Sequence, residues 1–277
     1  MADESEATAS NLSPTEDTGG PRETEALNNP PTAPDEPLED EEMPLADHIE
    51  EMIKRLAVVI VIAGGVTAIA LPFSEQVINF LWYNIMPFEQ LGEQARPRLY
   101  HPLALVLTRL KVASLAGVIL ALPVFVYQTY LFMRPGLYPH ERRYYLSAVP
   151  TSLVLAFVGV SFAYFLVLPA VFTYFITYTE DAAALAFGLT KTFNLILMLM
   201  GYLAVVFQIP LFIMLAIMMG LTTRQWLADR RLLFWGGFLG ISFLFTPDPT
   251  GMAPILVTLT MITLFEGTLM LLKWTGN

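Results

Sequence analysis

The chain has 277 residues, of which 55% are hydrophobic and only 14% are charged. This composition is typical of a protein embedded in a membrane and excludes an ordinary soluble domain. The sequence contains no cysteine, so it has no disulfide, no thiolate nucleophile and no cysteine-ligated metal. Its three histidines, His48, His101 and His140, lie far apart in sequence and form no catalytic or metal-binding motif.

The acidic residues are concentrated at the start of the chain. Residues 1–42 hold thirteen of the 25 acidic side chains and one basic side chain, whereas residues 43–277 carry twelve acidic and fourteen basic ones. The first segment has almost no bulky apolar residue, so it cannot bury enough surface to offset its ordering entropy. We therefore predict a disordered acidic tail at 1–42, followed by a membrane domain at 43–277.

Six apolar segments follow the tail. A helix that spans a bilayer needs about 20 mostly apolar residues. The predicted spans are 54–73, 107–132, 146–178, 192–219, 232–245 and 252–272. The fifth is short by this criterion, which implies local thinning of the bilayer or tilt of its neighbours. The sequence therefore predicts an all-α polytopic membrane protein with six transmembrane helices.

The basic residues predict the orientation of this domain. Six spans place both termini on the same side of the membrane. Nine basic residues of the membrane domain then lie on the side of the termini and five on the opposite side. This excess agrees with the positive-inside rule, so we predict that both termini are cytoplasmic.

The segment that links the second and third spans reads FMRPGLYPHERR and covers residues 132–143. Two prolines and a glycine interrupt the helix there, and four polar residues follow. Glu141, beside this rigid turn, can accept a bidentate hydrogen bond from a guanidinium group. The alternative is an internal ion pair with Arg142 or Arg143, because adjacent charges on a loop are usually only solvated. The residues alone leave both readings open.

The segment before the first span reads PLADHIEEMIKRL. His48, Glu51 and Arg55 recur at helical spacing, which predicts an amphipathic helix that approaches the membrane. Glu51 either binds a ligand as part of a receptor site or is simply a solvated side chain. Its neighbour Glu50 points elsewhere, because adjacent residues diverge on a helix.

Several polar residues lie in or beside the later spans. Gln208 must find a hydrogen-bond partner within its own bundle or on another chain's helix, and composition slightly favours the first. Glu266 is ionisable and lies inside a span, although it is close enough to the cytoplasmic end to reach water. The TPDP sequence at 246–249 is either a plain tight turn or a polar patch at the head of a short hairpin.

Four motifs, in this order on a layout of six spans, resemble the TatC family, the multispanning subunit of the twin-arginine protein translocase. They are LADHIEEMIKRL, LPVFVYQ with FMRPGLYPHERR, VFQIP with MGLTT, and the TPDP turn with LFE near the end of the last span. The resemblance covers residues 44–273. It implies a concave, glove-like cup of six helices that acts as a receptor for signal peptides with paired arginines.

The resemblance also implies roles for individual residues. Glu141 and Glu51 would bind the arginine pair from the cytoplasmic side. The implied signal-peptide site further contains His48, Phe132, Pro135, Leu137, Tyr138, Arg142 and Arg143. TatA-type single-span partners would dock at Gln208, Thr246, Asp248 and Glu266.

The resemblance implies a transport function rather than an enzymatic one. Folded cargo would cross the cytoplasmic membrane, driven by the proton gradient. The implied partners are signal peptides, TatA-type subunits, other TatC copies and membrane lipid. Neither a cofactor nor nucleic acid is expected, and the absence of a phosphate-binding loop motif agrees with this expectation.

Three positions depart from the family pattern. Ile53 stands where the family's N-terminal motif has arginine, and Gln208 stands where glutamate is common and cannot titrate. The aspartate of TPDP lies one place earlier than in the usual TPPD.

Two other function classes are alternatives for a polytopic membrane protein. An ion-coupled transporter of small solutes would show inverted repeats and ionisable groups near the midplane, and the sequence shows no clear repeat. An intramembrane protease would need a nucleophile and base, paired acids or a metal site within the spans. All three histidines lie outside the predicted spans, which argues against the protease.

Overall fold

Helices make up the regular structure throughout the described part of the chain. In this computed structural model, residues 45–86, 97–180, 187–246, 248 and 250–274 are described. Within these residues the ten α-helices are α1 (Leu45–Ala70), α2 (Ser74–Ile85), α3 (Ala104–Met133), α4 (Pro139–Phe162), α5 (Leu168–Glu180), α6 (Leu189–Val206), α7 (Ile209–Met218), α8 (Arg224–Asp229), α9 (Arg231–Phe245) and α10 (Met252–Trp274). The predicted acidic tail, residues 1–42, lies outside the described residues.

Among the described residues, five helical stretches are long and apolar enough to cross a membrane. They are Ile49–Ile85, Ala104–Gly136, Glu141–Tyr178, Leu189–Met218 and Met252–Trp274. A shorter apolar helix, Arg231–Phe245, coincides with the predicted fifth span. The all-α prediction is therefore confirmed for the described residues, and so is the shortness of the fifth segment.

The predicted fourth span is not one continuous helix. It is divided at Phe207 and Gln208 into α6 and α7. Pro210 is the cause, because it has no N–H to donate to the carbonyl four residues earlier and its ring crowds the preceding turn. Pro123 and Pro150, by contrast, lie inside the continuous helices α3 and α4.

The junction between α4 and α5 is a single turn of π-helix. It covers Ala163–Val167 and ends two residues before Pro169. Such a turn accommodates one extra residue and lets the helix continue past a local irregularity. The third predicted span is therefore a chain of α-, π- and α-helix rather than one uniform helix.

Helices α1 and α3 pack closely because a glycine lies at their crossing. A Cβ atom placed on Gly117 of α3 would lie 2.5 Å from the carbonyl oxygen of Ala63 in α1. Small residues allow membrane helices to approach this closely, which increases van der Waals contact between their backbones. Much of the rest of α1 is exposed and apolar, as a lipid-facing surface would be.

Helix α6 forms the centre of the main core. Its most deeply buried side chains include Phe193, Ile196, Leu199 and Leu203. Helix α4 packs against it at a second glycine, since a Cβ atom on Gly159 would lie 2.6 Å from the carbonyl oxygen of Leu203. This close contact holds the third and fourth predicted spans in a fixed relation.

The bundle has two distinct ends. At one end α1 begins and α3 ends, and we call this the loop end because residues 132–143 lie there. At the far end the segment at Arg98 pairs with the segment that leads into α6. The Arg98 N–H donates to the Phe187 carbonyl at 2.8 Å, and the Leu189 N–H donates to the Arg98 carbonyl at 3.0 Å.

Candidate functional site

The loop at 132–143 is held by a buried anchor. After α3 the chain forms one 3-10 turn, Arg134–Gly136, whose proline disfavours a further α-helical turn. Leu137 then inserts into the protein and is only 4% exposed, packed in a cluster with Val126, Tyr145 and Leu211. The neighbouring residues Pro135 and Tyr138 remain exposed. The loop is therefore a rigid surface feature.

Glu141 caps the helix that follows this loop. Its Oε2 accepts a hydrogen bond from the Tyr138 N–H at 3.0 Å, and its own N–H donates to the Tyr138 carbonyl at 3.0 Å. A glutamate at the third helical position commonly reaches back in this way to satisfy an N-terminal N–H group. Among the described residues, Glu141 forms no ion pair with Arg142 or Arg143, and its Oε1 accepts no hydrogen bond.

Arg142 and Arg143 differ sharply in their surroundings. The Arg142 guanidinium donates from Nε to the Leu137 carbonyl at 3.3 Å and from Nη2 to the Arg134 carbonyl at 3.1 Å. It therefore ties the loop backbone to α4. The Arg143 side chain is exposed and has no hydrogen bond or ion pair with any other described residue.

Glu51 pairs with Arg55, one helical turn further along α1. The Arg55 Nε donates to Glu51 Oε1 at 3.1 Å, and Nη2 contacts the same oxygen. These side chains are 31% and 23% exposed, whereas Glu50 and Lys54, which form a 2.7 Å ion pair, are 64% and 73% exposed. The prediction that Glu50 points away from Glu51 agrees with this arrangement.

A cavity of about 350 Å³ brings the two motifs together at the loop end. Its lining consists of Met52, Arg55, Leu56 and Val59 from α1 and Phe125, Gln128, Thr129 and Phe132 from α3. Phe132 is the first residue of the loop motif, so α1 and the loop share this cavity. The backbones of His48 and His140 lie in α1 and α4, but their side chains are outside the described part of the structure.

Gln208 is satisfied within the protein. It lies at the break between α6 and α7, and its side chain is only 2% exposed. Its Nε2 donates to the carbonyls of Ser152 at 3.1 Å and Ala204 at 3.2 Å, while its Oε1 accepts from the Ser152 hydroxyl at 2.8 Å. Both amide hydrogens are therefore used inside the bundle, which is the alternative that composition slightly favoured.

Asp248 and Thr246 lie at the far end, where α9 turns into α10. Asp248 is 5% exposed, and its carboxylate accepts from the Thr250 N–H and hydroxyl and from the Ala253 N–H, at 2.7–2.8 Å. It therefore caps the start of α10. The Thr246 hydroxyl is buried and has no partner among the described residues.

Glu266 is separated from this turn by most of α10. Its Oε1 accepts a hydrogen bond from the Trp235 indole at 3.2 Å, and its Oε2 lies 3.9 Å from the Arg231 guanidinium. At about 1.5 Å per helical residue, Glu266 lies about 20 Å along the helix axis from the residues that Asp248 caps. The four predicted partner-binding residues thus occupy three separate places.

The sequence does not reveal the roles of three residues of these sites. The sequence analysis gives Arg55 only a helical spacing, although an i,i+4 Glu–Arg spacing on a helix already indicates an ion pair. Ser152 and Gln128 carried no local signal, because Ser152 acquires its importance from Gln208, 56 positions away. In the described residues, no group of three His, Cys, Asp or Glu could hold a metal ion.

Comparisons with known proteins point to one family. The family model described as "Sec-independent protein translocase protein (TatC)" matches residues 47–259. The chain is similar to "Sec-independent protein translocase protein TatCo" of Haloferax volcanii, with 62% identity over 261 residues that cover 87% of this chain and 59% of that protein. The chain thus spans little more than half of that relative. It is also similar to TatC of Methanocella arvoryzae, with 32% identity over 86% of this chain and 97% of that protein.

A solved structure has the same fold. It is described as "Crystal Structure of Twin Arginine Translocase Receptor- TatC", with a TM-score of 0.71 and 24% identity, and the match covers 83% of this chain and all of that one. The family match extends over most of the chain, including α1, the loop and the first turns of α10. The chain therefore belongs to the TatC family of Sec-independent protein translocase proteins.

Proposed function

We propose that the chain is the signal-peptide receptor and core subunit of a twin-arginine translocase. It binds the paired arginines of a signal peptide and exports the attached folded protein, without enzymatic activity of its own. The observation that carries this proposal is the loop end, where a rigid turn presents Glu141 and where Phe132 of the same loop shares a cavity with α1, the helix that bears Glu51. The description of the solved relative as a twin-arginine translocase receptor supports the same reading.

The chemistry of Glu141 suits an arginine ligand. Its Oε2 is held by the Tyr138 N–H, so the carboxylate is already oriented before a ligand arrives. A carboxylate has about four lone-pair sites, and Oε1 has no partner among the described residues. A guanidinium fork can therefore add two charge-assisted hydrogen bonds to a group that needs little reorganisation.

The rest of the loop serves to position this carboxylate. Leu137 fixes the loop from inside, and the Arg142 fork fixes it from α4. The exposed faces of Pro135 and Tyr138 border the signal backbone. Arg143 is exposed, and the family resemblance assigns it to the same site together with His48.

The proposed setting is the cytoplasmic membrane. The six apolar helices form a concave cup with both termini and the acidic tail in the cytoplasm, so the loop end is the cytoplasmic end. The apolar side chains that cover α1, such as Ile60, Val61 and Ile69, are exposed and suit contact with lipid. The signal's apolar stretch then lies along the concave face.

TatA-type single-span partners complete the proposed translocase, which the proton gradient drives. A docking helix must first expose the buried Thr246 hydroxyl, which has no partner among the described residues, and Gln208 must release Ser152. Asp248 and Glu266 keep the hydrogen bonds that they form within this chain, and they lie at the two ends of the region where the TatA-type helix docks. Other copies of the chain assemble in the same membrane.

The test is site-specific photocrosslinking to a cargo precursor from position 52, which lines the cavity at the loop end and leaves both glutamates in place. The precursor carries either two arginines or two lysines, because lysine keeps the charge but lacks the fork. We expect a crosslink that requires the arginines and that Glu141→Gln removes. Glu141→Gln keeps an amide oxygen for the Tyr138 N–H, so the helix cap survives and only the charge is lost. A crosslink of equal strength with both signals would refute the receptor proposal.

A further inference from the structure

Glu51 is already occupied by an arginine from its own helix. Two nitrogens of the Arg55 guanidinium, Nε and Nη2, contact the same carboxylate oxygen, Oε1. A signal arginine that approached Glu51 would therefore meet a carboxylate with one oxygen engaged and a like charge beside it. A bidentate bond to both oxygens is blocked while Arg55 stays in place.

The protein offers Arg55 another place to go. Arg55 lines the cavity of about 350 Å³ at the loop end, and Gln128 of α3 lines the same cavity. Within the described part of the chain, the Gln128 side chain makes no hydrogen bond, so its amide oxygen is available as an acceptor. At about 350 Å³ the cavity leaves room for the Arg55 side chain to change rotamer.

We propose that Arg55 is an internal stand-in for a signal-peptide arginine. It occupies Glu51 while the receptor is empty, and a twin-arginine signal displaces it toward Gln128. The displacement costs affinity, and only a segment with a guanidinium fork recovers that cost at the freed carboxylate. A lysine segment, with one donor group, leaves Arg55 in place and does not engage Glu51. Arg55 is thus a specificity-determining residue. This inference rests on the proposed receptor function.

The same helix supplies a matched control. Lys54 pairs with Glu50 at 2.7 Å with the same i,i+4 spacing, but both side chains are largely exposed. Lys54→Gln removes the same charge as Arg55→Gln from an adjacent position and leaves the Glu51–Arg55 pair intact. A general electrostatic effect changes both variants equally, whereas displacement of a stand-in affects only Arg55→Gln.

The experiment measures the affinity of the full-length chain, in detergent, for a fluorescent peptide with either two arginines or two lysines. We expect Arg55→Gln to raise the affinity for the arginine peptide about three- to fivefold, the upper range for surface ion pairs, because this pair is half-buried and Arg55 contacts Glu51 through two nitrogens. Lys54→Gln should raise it less than about twofold, since its pair is more exposed. In a Glu51→Gln background, Arg55→Gln should have no effect beyond that of Lys54→Gln.

A second variant tests the place to which Arg55 moves. Gln128→Leu removes the acceptor, so it should lower the affinity for the arginine peptide about twofold, and only while Arg55 is present. If Arg55→Gln fails to fold, Arg55→Lys tests the same idea. Lysine keeps the charge but holds Glu51 with one donor group, so a smaller rise in affinity is expected.

The outcomes separate this inference from the proposed function. Equal affinities of the Arg55→Gln and Lys54→Gln variants, with Glu51→Gln still weakening the arginine peptide, would overturn the stand-in and leave the receptor in place. If the arginine peptide binds with equal affinity to wild type, Glu51→Gln and Glu141→Gln, the proposed receptor site itself is contradicted. An equal rise for the arginine and lysine peptides in Arg55→Gln would also overturn the stand-in, because the fork would then play no part.

Discussion

Ser152 and Gln208 form a reciprocal hydrogen-bonded pair between α4 and the break that separates α6 from α7. The Ser152 hydroxyl donates to Gln208 Oε1 at 2.8 Å, and Gln208 Nε2 donates back to the Ser152 carbonyl at 3.1 Å. A second bond from Nε2 goes to the Ala204 carbonyl, at 3.2 Å, while the Gln208 backbone N–H bonds to Val205 instead of to Ala204. Gln208 therefore stabilises a broken helix and joins it to its neighbour.

Gln208→Leu should destabilise the protein by about 1–2 kcal/mol, because interhelical hydrogen bonds inside membrane proteins are worth about 0.6 kcal/mol each and at most about 1.7. Ser152→Ala should cost less, because the Ser152 carbonyl still accepts from Gln208. The measurement is unfolding of the purified chain in detergent. Thr151→Ala is the control, since its hydroxyl is exposed and bonds only within α4. If the losses of stability from Ser152→Ala and Gln208→Leu are additive in the double variant, the two side chains do not stabilise each other and the proposed pair is contradicted.

Gly117→Ala should disrupt the crossing of α1 and α3. The new methyl group would meet the Ala63 carbonyl oxygen at 2.5 Å, and backbone cannot yield as a flexible side chain does. Overpacking of this kind costs about 1–3 kcal/mol. Gly64→Ala is the control, because nothing lies within 4 Å of a Cβ atom there. Unfolding in detergent distinguishes the two variants.

Thr67→Ala provides a stricter check on this crossing. Thr67 also lies against Gly117, but its side chain is not the main obstacle, since the Ala63 carbonyl remains. We expect that adding Thr67→Ala to the Gly117→Ala variant does not restore the stability that Gly117→Ala loses. A double variant as stable as wild type would show that only the threonine side chain opposed the methyl group.

Local patterns account for what could be predicted from the sequence. Apolar length indicated the helices, and the spacing of Glu51 and Arg55 placed both on one face of α1. Glu141 at the third position of α4 was a recognisable capping signal that the sequence reading passed over. Ser152 could not be predicted, because its partner Gln208 comes from a helix 56 residues later and no periodicity links them. The break in the fourth span was within reach, since Pro210 already indicated it.

Arg142→Lys should loosen the loop and weaken signal binding, whereas Arg143→Lys should leave the loop intact and weaken signal binding less. Lysine cannot reach the carbonyls of Leu137 and Arg134 together, because it lacks the fork that Arg142 uses. Both substitutions keep the charge, so electrostatic attraction of a signal is unchanged. Protease sensitivity of the loop and affinity for a twin-arginine peptide measure the two effects. Equal results for the two variants would show that the Arg142 clamp is not needed.

Asp248→Ala should destabilise α10 at its start. The carboxylate accepts hydrogen bonds from the Thr250 N–H and hydroxyl and from the Ala253 N–H, so its removal leaves buried donors unpaired. Loss of a helix cap costs about 0.5–2 kcal/mol, and Asp248→Asn should lie between alanine and wild type because its amide keeps one acceptor. Thermal unfolding in detergent checks this order.

The capping role and a direct docking role for Asp248 differ in their temperature dependence. If Asp248 acts only as a helix cap, the Asp248→Ala variant loses crosslinks between the turn at Thr246 and a TatA-type helix in proportion to the fraction of protein that is unfolded. Cooling, which refolds the variant, then restores these crosslinks. If the carboxylate itself contacts the partner, crosslinks are lost even where the variant is fully folded. Because Asp248 is 5% exposed and already accepts three bonds from its own chain, we expect the first result.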